Sequence, residues 1–91
     1  MFRLKGTPEQ RLEASRKFAD ALMALPGQIP VLRSMQTGIN ANPAESWDVV
    51  LTAEVDTMAD VDTYARHPAH VAAAAIIAPF KEERACVDYE F

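Results

Sequence analysis

Pro68 stands inside a stretch, Thr57 to Ala78, that otherwise reads as continuous helix, and no other residue constrains the fold so tightly. Proline lacks an N–H and fixes its own φ, so it opens a helix easily and breaks one that runs through it. The stretch therefore splits into two helices. The first starts at Thr57-Met58-Ala59-Asp60 and ends before His67-Pro68, and the second runs from Pro68 to about Ala78. The break brings Tyr64, His67 and His70 to one corner. His70 falls in the first turn of the second helix, where unpaired backbone N–H groups and the positive dipole end disfavour an imidazolium. A neutral ring able to accept a proton is expected there. Tyr64 adds a phenol to the same corner.

Size and charge narrow the classes that remain. Ninety-one residues make one domain, 1–91, too small to bury much of its own surface without help from a second copy. The net charge is −4 and the nine Lys and Arg are scattered, so neither nucleic acid nor an anionic membrane is an expected partner. No apolar run approaches the roughly 20 residues that span a bilayer, and Met1-Phe2-Arg3-Leu4-Lys5-Gly6 lacks a secretory core, so a cytoplasmic protein is expected. Cys86 has no second cysteine to pair with.

The remaining elements follow from capping and periodicity. Thr7-Pro8-Glu9-Gln10 is a helix start with a capping box, and Leu12, Phe18, Ala19, Leu22 and Leu25 form an apolar stripe that ends at Pro26-Gly27. Ile29 to Ile39 reads as a partly exposed strand. Trp47 to Val55 is the clearest strand, with Trp47, Val49, Leu51, Ala53 and Val55 on one face and Asp48, Val50, Thr52 and Glu54 on the other. Ala85 to Phe91 alternates Val87, Tyr89 and Phe91 against Cys86, Asp88 and Glu90, which predicts a terminal strand after a charged loop, Lys81 to Arg84. With Phe2-Arg3-Leu4 as a short first strand, the order predicts an α+β fold: a ferredoxin-like sandwich with an antiparallel sheet and helices on one face. The other face then needs a cover, and a homodimer through it is the natural solution.

The chain resembles the stress-responsive α/β-barrel (Dabb) family, a dimeric α/β barrel. The resemblance rests on Phe2-Arg3-Leu4-Lys5 with Thr7-Pro8-Glu9, on Leu25-Pro26, Ile29-Pro30 and Gly38-Ile39-Asn40, and on Trp47-Asp48-Val49-Val50-Leu51. It continues through Tyr64 and His67-Pro68-Ala69-His70 to Val87-Asp88-Tyr89. It implies a ferredoxin-like protomer, a homodimer with a barrel-like core, and a pocket between sheet and helices in each subunit. A plant polyketide cyclase of this fold uses a tyrosine and the second histidine of this block for an aldol cyclisation, and those roles would fall on Tyr64 and His70. Family members usually carry several more residues at the front, often with a histidine; the short first strand here implies a truncated or late-assigned start.

Each candidate has a plainer reading beside the chemical one. His70 is either a general base or a histidine that packs a corner, and Tyr64 either a catalytic phenol or a half-buried aromatic. His67, held extended by the proline after it, reads as a cap or turn residue. Zinc needs three or four ligands, and Arg66 and Ala69 supply none, so no metal is expected. No phosphate loop or dinucleotide fingerprint is present, so no cofactor is expected either. Cys86, in an apolar strand, should be an inert thiol. The leading expectation is a small homodimer that binds a small apolar or aromatic molecule near Tyr64 and His70, with cofactor-free cyclase, isomerase or lyase-like proton transfer. A non-catalytic stress-response or ligand-sequestering protein is the alternative, and a cofactor-independent monooxygenase stands third.

Overall fold

Thr7 caps the first helix as its sequence pattern predicts. Its hydroxyl accepts from the Gln10 N–H at 3.1 Å while the Gln10 side chain accepts from the Thr7 N–H at 2.9 Å. The turn into this cap passes through Gly6 at φ 117°, where a Cβ would come within 2.8 Å of the Gln10 side-chain oxygen. Glycine is needed there both for its backbone angle and for the room.

The computed structural model describes all 91 residues. The elements are β1 (Phe2–Leu4), α1 (Pro8–Met23), β2 (Leu32–Ile39), β3 (Val49–Val55), α2 (Met58–Arg66), α3 (Pro68–Ile77) and β4 (Lys81–Arg84). The four strands form one antiparallel sheet in the order β2-β3-β1-β4. This is the α+β, ferredoxin-like arrangement that the element order predicts.

The core lies between the helices and one face of the sheet. Phe18 and Leu22 of α1 pack with Leu4, Leu32, Met35, Val49, Tyr64, Ala73 and Ile77, and the Phe2 ring meets Phe18 edge to face at 5.3 Å. The buried stripe of α1 is Ala14, Ser15, Phe18, Ala19 and Leu22, whereas Leu12, which the spacing assigns to the stripe, is exposed. On β3, Val49, Leu51, Ala53 and Val55 face this core, and Val50, Thr52 and Glu54 face away, as alternation requires. No helix covers that second face. Cross-strand pairs Gly38–Val50, Gln36–Thr52 and Ser34–Glu54 line it.

Two expectations are corrected. Asp48, assigned by alternation to the outer face, lies before the ladder and turns inward. Its carboxylate accepts from the Leu4 N–H at 2.7 Å and from Arg11 Nε at 3.3 Å, tying β1, β3 and α1 together. The final strand is Lys81–Arg84, not Ala85–Phe91. Phe2, Arg3 and Leu4 pair with Arg84, Glu83 and Lys81, so the charged run forms the ladder. Arg3 meets Glu83 across it. Residues 86–91 carry the better strand pattern, but a strand exists only where another backbone offers hydrogen bonds, and within one chain none lies beside them.

Candidate functional site

The α2–α3 corner forms because His67 leaves the helical path. Its backbone is extended, at φ −61° and ψ 136°, and it serves both as the last cap of α2 and the first cap of α3. Its Nδ1 accepts the Ala69 N–H at 3.1 Å, a cap made by an imidazole in place of the usual hydroxyl or carboxylate. The cap role read from the sequence is what the ring performs.

Pro68 then places His70 at the third helical position of α3. The ring turns back toward α2, where Nδ1 lies 3.0 Å from the Ala65 carbonyl oxygen. A carbonyl only accepts, so Nδ1 carries the hydrogen and Nε2 carries the lone pair of the neutral ring. Burial lowers the His70 pKa below the ordinary histidine value; the Ala65 carbonyl opposes the shift and the Arg84 charge adds to it. The ring is thus kept neutral mainly by desolvation, with the helix start as its setting. Arg84 had no signal in the sequence, because it reads there as part of a solvated loop and acquires its place only when β4 joins the sheet.

Tyr64 packs against the same ring. The two ring centroids are 4.6 Å apart with planes inclined at 58°. The tyrosine belongs to the hydrophobic cluster and is 8% exposed, yet its hydroxyl is buried without a hydrogen-bond partner in the chain. Burial pushes its pKa up to about 12, so it is a neutral O–H donor at any physiological pH. A buried hydroxyl left without a partner costs about 1–3 kcal/mol. Arg3 Nε and the Ser15 hydroxyl share this state, and such atoms are few in native proteins.

The structure therefore brings Tyr64 and His70 into contact and gives His67 a separate task. The corner pairs a buried O–H donor with an imidazole whose tautomer is fixed by a backbone carbonyl. No group of three His, Cys, Asp or Glu side chains is placed to hold a metal ion. Two surface hollows lie elsewhere. One, of ≈ 330 Å³, is bordered by Gln10, Lys17, Ile76 and Phe80 between α1 and α3. The other, of ≈ 310 Å³, opens on the uncovered side of the sheet at Met1, Gly38, Trp47 and Val50. Cys86 is exposed, with Sγ 3.3 Å from the Asp88 carboxylate, which corrects the expectation of an apolar strand setting.

The comparisons with known proteins agree with one another about the fold. A family model described as the stress responsive A/B barrel domain matches residues 1–91. A dimeric protein of unknown function with a ferredoxin-like fold from Bacteroides fragilis is 47% identical, with a TM-score of 0.95 over 99% of this chain and 89% of that one. A dimeric ferredoxin-like protein of unknown function from Thermobifida fusca is 31% identical, with a TM-score of 0.81 over 100% of this chain and 85% of that one. At 18% identity and a TM-score of 0.58, over 100% of this chain and 92% of that one, the Arabidopsis thaliana protein At3g17210 shares the fold alone. No curated protein matches the chain.

Proposed function

Because this chain belongs to the stress responsive A/B barrel domain family, we propose that it is a homodimer whose Tyr64–His70 corner binds a small carbonyl compound and moves a proton on it without a cofactor. One observation carries this reading: the Tyr64 hydroxyl is buried and unpartnered beside a histidine whose Nδ1 is engaged by a backbone carbonyl. In the proposed step Nε2 of His70 takes a proton from the carbon next to the carbonyl. The electron pair left behind moves onto the carbonyl oxygen, which accepts a hydrogen bond from the Tyr64 O–H. The Ala65 carbonyl holds the resulting imidazolium by its Nδ1–H, and the proton returns to carbon or to the next intermediate.

The dimer half of the proposal is supported by the 47% and 31% identical relatives, both dimeric, and by the sheet face that no helix covers. No helix is long and apolar enough to cross a membrane. A second reading has its own support: the His70–Ala65 contact staples α3 to the end of α2, as a purely structural histidine would.

Tyr64→Phe separates the two. In the ligand reading it abolishes α-proton exchange of an aryl methyl ketone in D2O, followed by NMR, while the melting temperature stays level or rises because an unsatisfied hydroxyl has gone. Unchanged exchange, or none in the wild-type protein across a panel of such ketones, overturns the proton-transfer reading.

A further inference from the structure

We propose that the ligand of the Tyr64–His70 corner is an oxo carboxylate whose carboxylate is bound by Arg84, a reading that rests on the proton transfer proposed above. Arg84 stands opposite Phe2 in the β1–β4 ladder. Residues directly opposite each other in an antiparallel pair share a face. Phe2 packs into the core against Phe18, so the register puts Arg84 on the helix side of the sheet, the side that carries the corner.

The same ladder sorts the charges of β4. Its register shifts between Arg3 and Leu4, which face Glu83 and Lys81, so Glu82 is an extra residue on the β4 side. Both acids go to Arg3, Glu83 in a close ion pair and Glu82 at 3.7 Å. The two cations, Lys81 and Arg84, stand opposite the core-facing Leu4 and Phe2. Neither of them joins an ion pair. No acid of the chain neutralises Arg84, although two acids lie within two residues of it.

Of the two cations, Arg84 is the one whose charge acts on His70. His70 in turn packs on Tyr64, with ring centroids 4.6 Å apart. A buried hydroxyl donor, a neutral base and an unpaired guanidinium therefore border one place. A single guanidinium matches the single charge and the planar fork of a carboxylate. The arrangement also couples binding to basicity. In the free protein burial and, in smaller measure, the Arg84 charge disfavour the His70 imidazolium, and a carboxylate seated on Arg84 cancels that charge. The base gains proton affinity when such a ligand is in place, and a neutral ketone lacks this effect.

The probes are β-benzoylpropionate and its methyl ester, which share one aryl ketone and differ in the carboxylate. Exchange of the protons next to the ketone in D2O and saturation-transfer NMR read turnover and binding separately. The wild-type protein should bind and exchange the acid better than the ester. Arg84→Met should weaken binding and exchange of the acid by about ten- to a hundredfold, the usual range for losing a charge-assisted pair, without lowering the ester rate or the urea midpoint. Lys81→Met removes the same charge from the same strand and should leave the preference for the acid intact. Equal handling of acid and ester by the wild type overturns the carboxylate site and leaves the proton transfer standing. So does a preference that survives Arg84→Met, or one that falls equally with Lys81→Met. Acid that binds the wild type and is lost from Arg84→Met, with no exchange of either compound, supports the carboxylate site and overturns the proton transfer.

Discussion

Helices α1 and α3 both begin at a proline, both have a side-chain cap on the residue before it, and both carry a polar residue at the third helical position. At α1 that residue is Gln10, and its side chain is consumed by reaching back to the Thr7 N–H. At α3 it is His70, whose ring reaches past its own cap to the Ala65 carbonyl of the preceding helix. The local pattern is the same, and the difference lies in what precedes it. A turn through Gly6 leads into α1, whereas α3 follows α2 with only His67 between them, so carbonyls at the end of α2 remain in reach. One start has used its N3 side chain for stability; the other keeps an imidazole nitrogen free beside a buried phenol.

The largest effect separating the two starts should be catalytic. His70→Ala should reduce ketone α-proton exchange by about 10² to 10⁴, the usual contribution of a general base. Gln10→Ala should leave the exchange rate alone and lower stability instead. If both variants change only the urea midpoint, α3 begins for structural reasons just as α1 does, and the comparison breaks.

The caps come next. Thr7→Ala should cost about 1 kcal/mol, the common value for losing a helix cap. His67→Ala should cost a similar amount, and His67→Asn, which keeps a side-chain acceptor, should restore most of it. Equal stability of wild type and His67→Ala in urea unfolding would remove the ring from its capping task.

The smallest effect is the pH dependence. Burial holds the native His70 pKa below 6.5, its ordinary value, so the unfolded chain takes up the proton first as pH falls. Stability from the neutral ring is therefore fully present above about pH 6.5 and is lost as pH drops through the interval down to the lowered native value. Melting temperatures of wild type and His70→Asn, compared between pH 7.5 and 5, should converge toward the acid end. Gln10, which does not titrate, should show no such trend in the parallel comparison.

Much of the corner was legible in the sequence because the signals are local. Pro68 forces a break, Thr57 and Thr7 mark helix starts, and the spacing from Tyr64 to His70 follows from the break alone. Less legible was the reason for a neutral His70. The sequence suggests the helix dipole, whereas burial lowers the pKa and the Ala65 carbonyl, which opposes that shift, fixes the tautomer; both depend on how the two helices meet. The buried, unpartnered state of the Tyr64 hydroxyl has no sequence signature, since an exposed tyrosine would be written the same way.

The chain by itself determined where helices start, where β3 alternates, and that one sheet face would lack a helix, because caps, proline and period-two patterning act within a few residues. Tertiary structure decided which segment became the fourth strand. Lys81–Arg84 pairs with β1 although Ala85–Phe91 has the stronger apolar alternation. Strand pairing is a contract between distant backbones, so a pattern can state that a segment suits a sheet without stating that a partner is there to meet it.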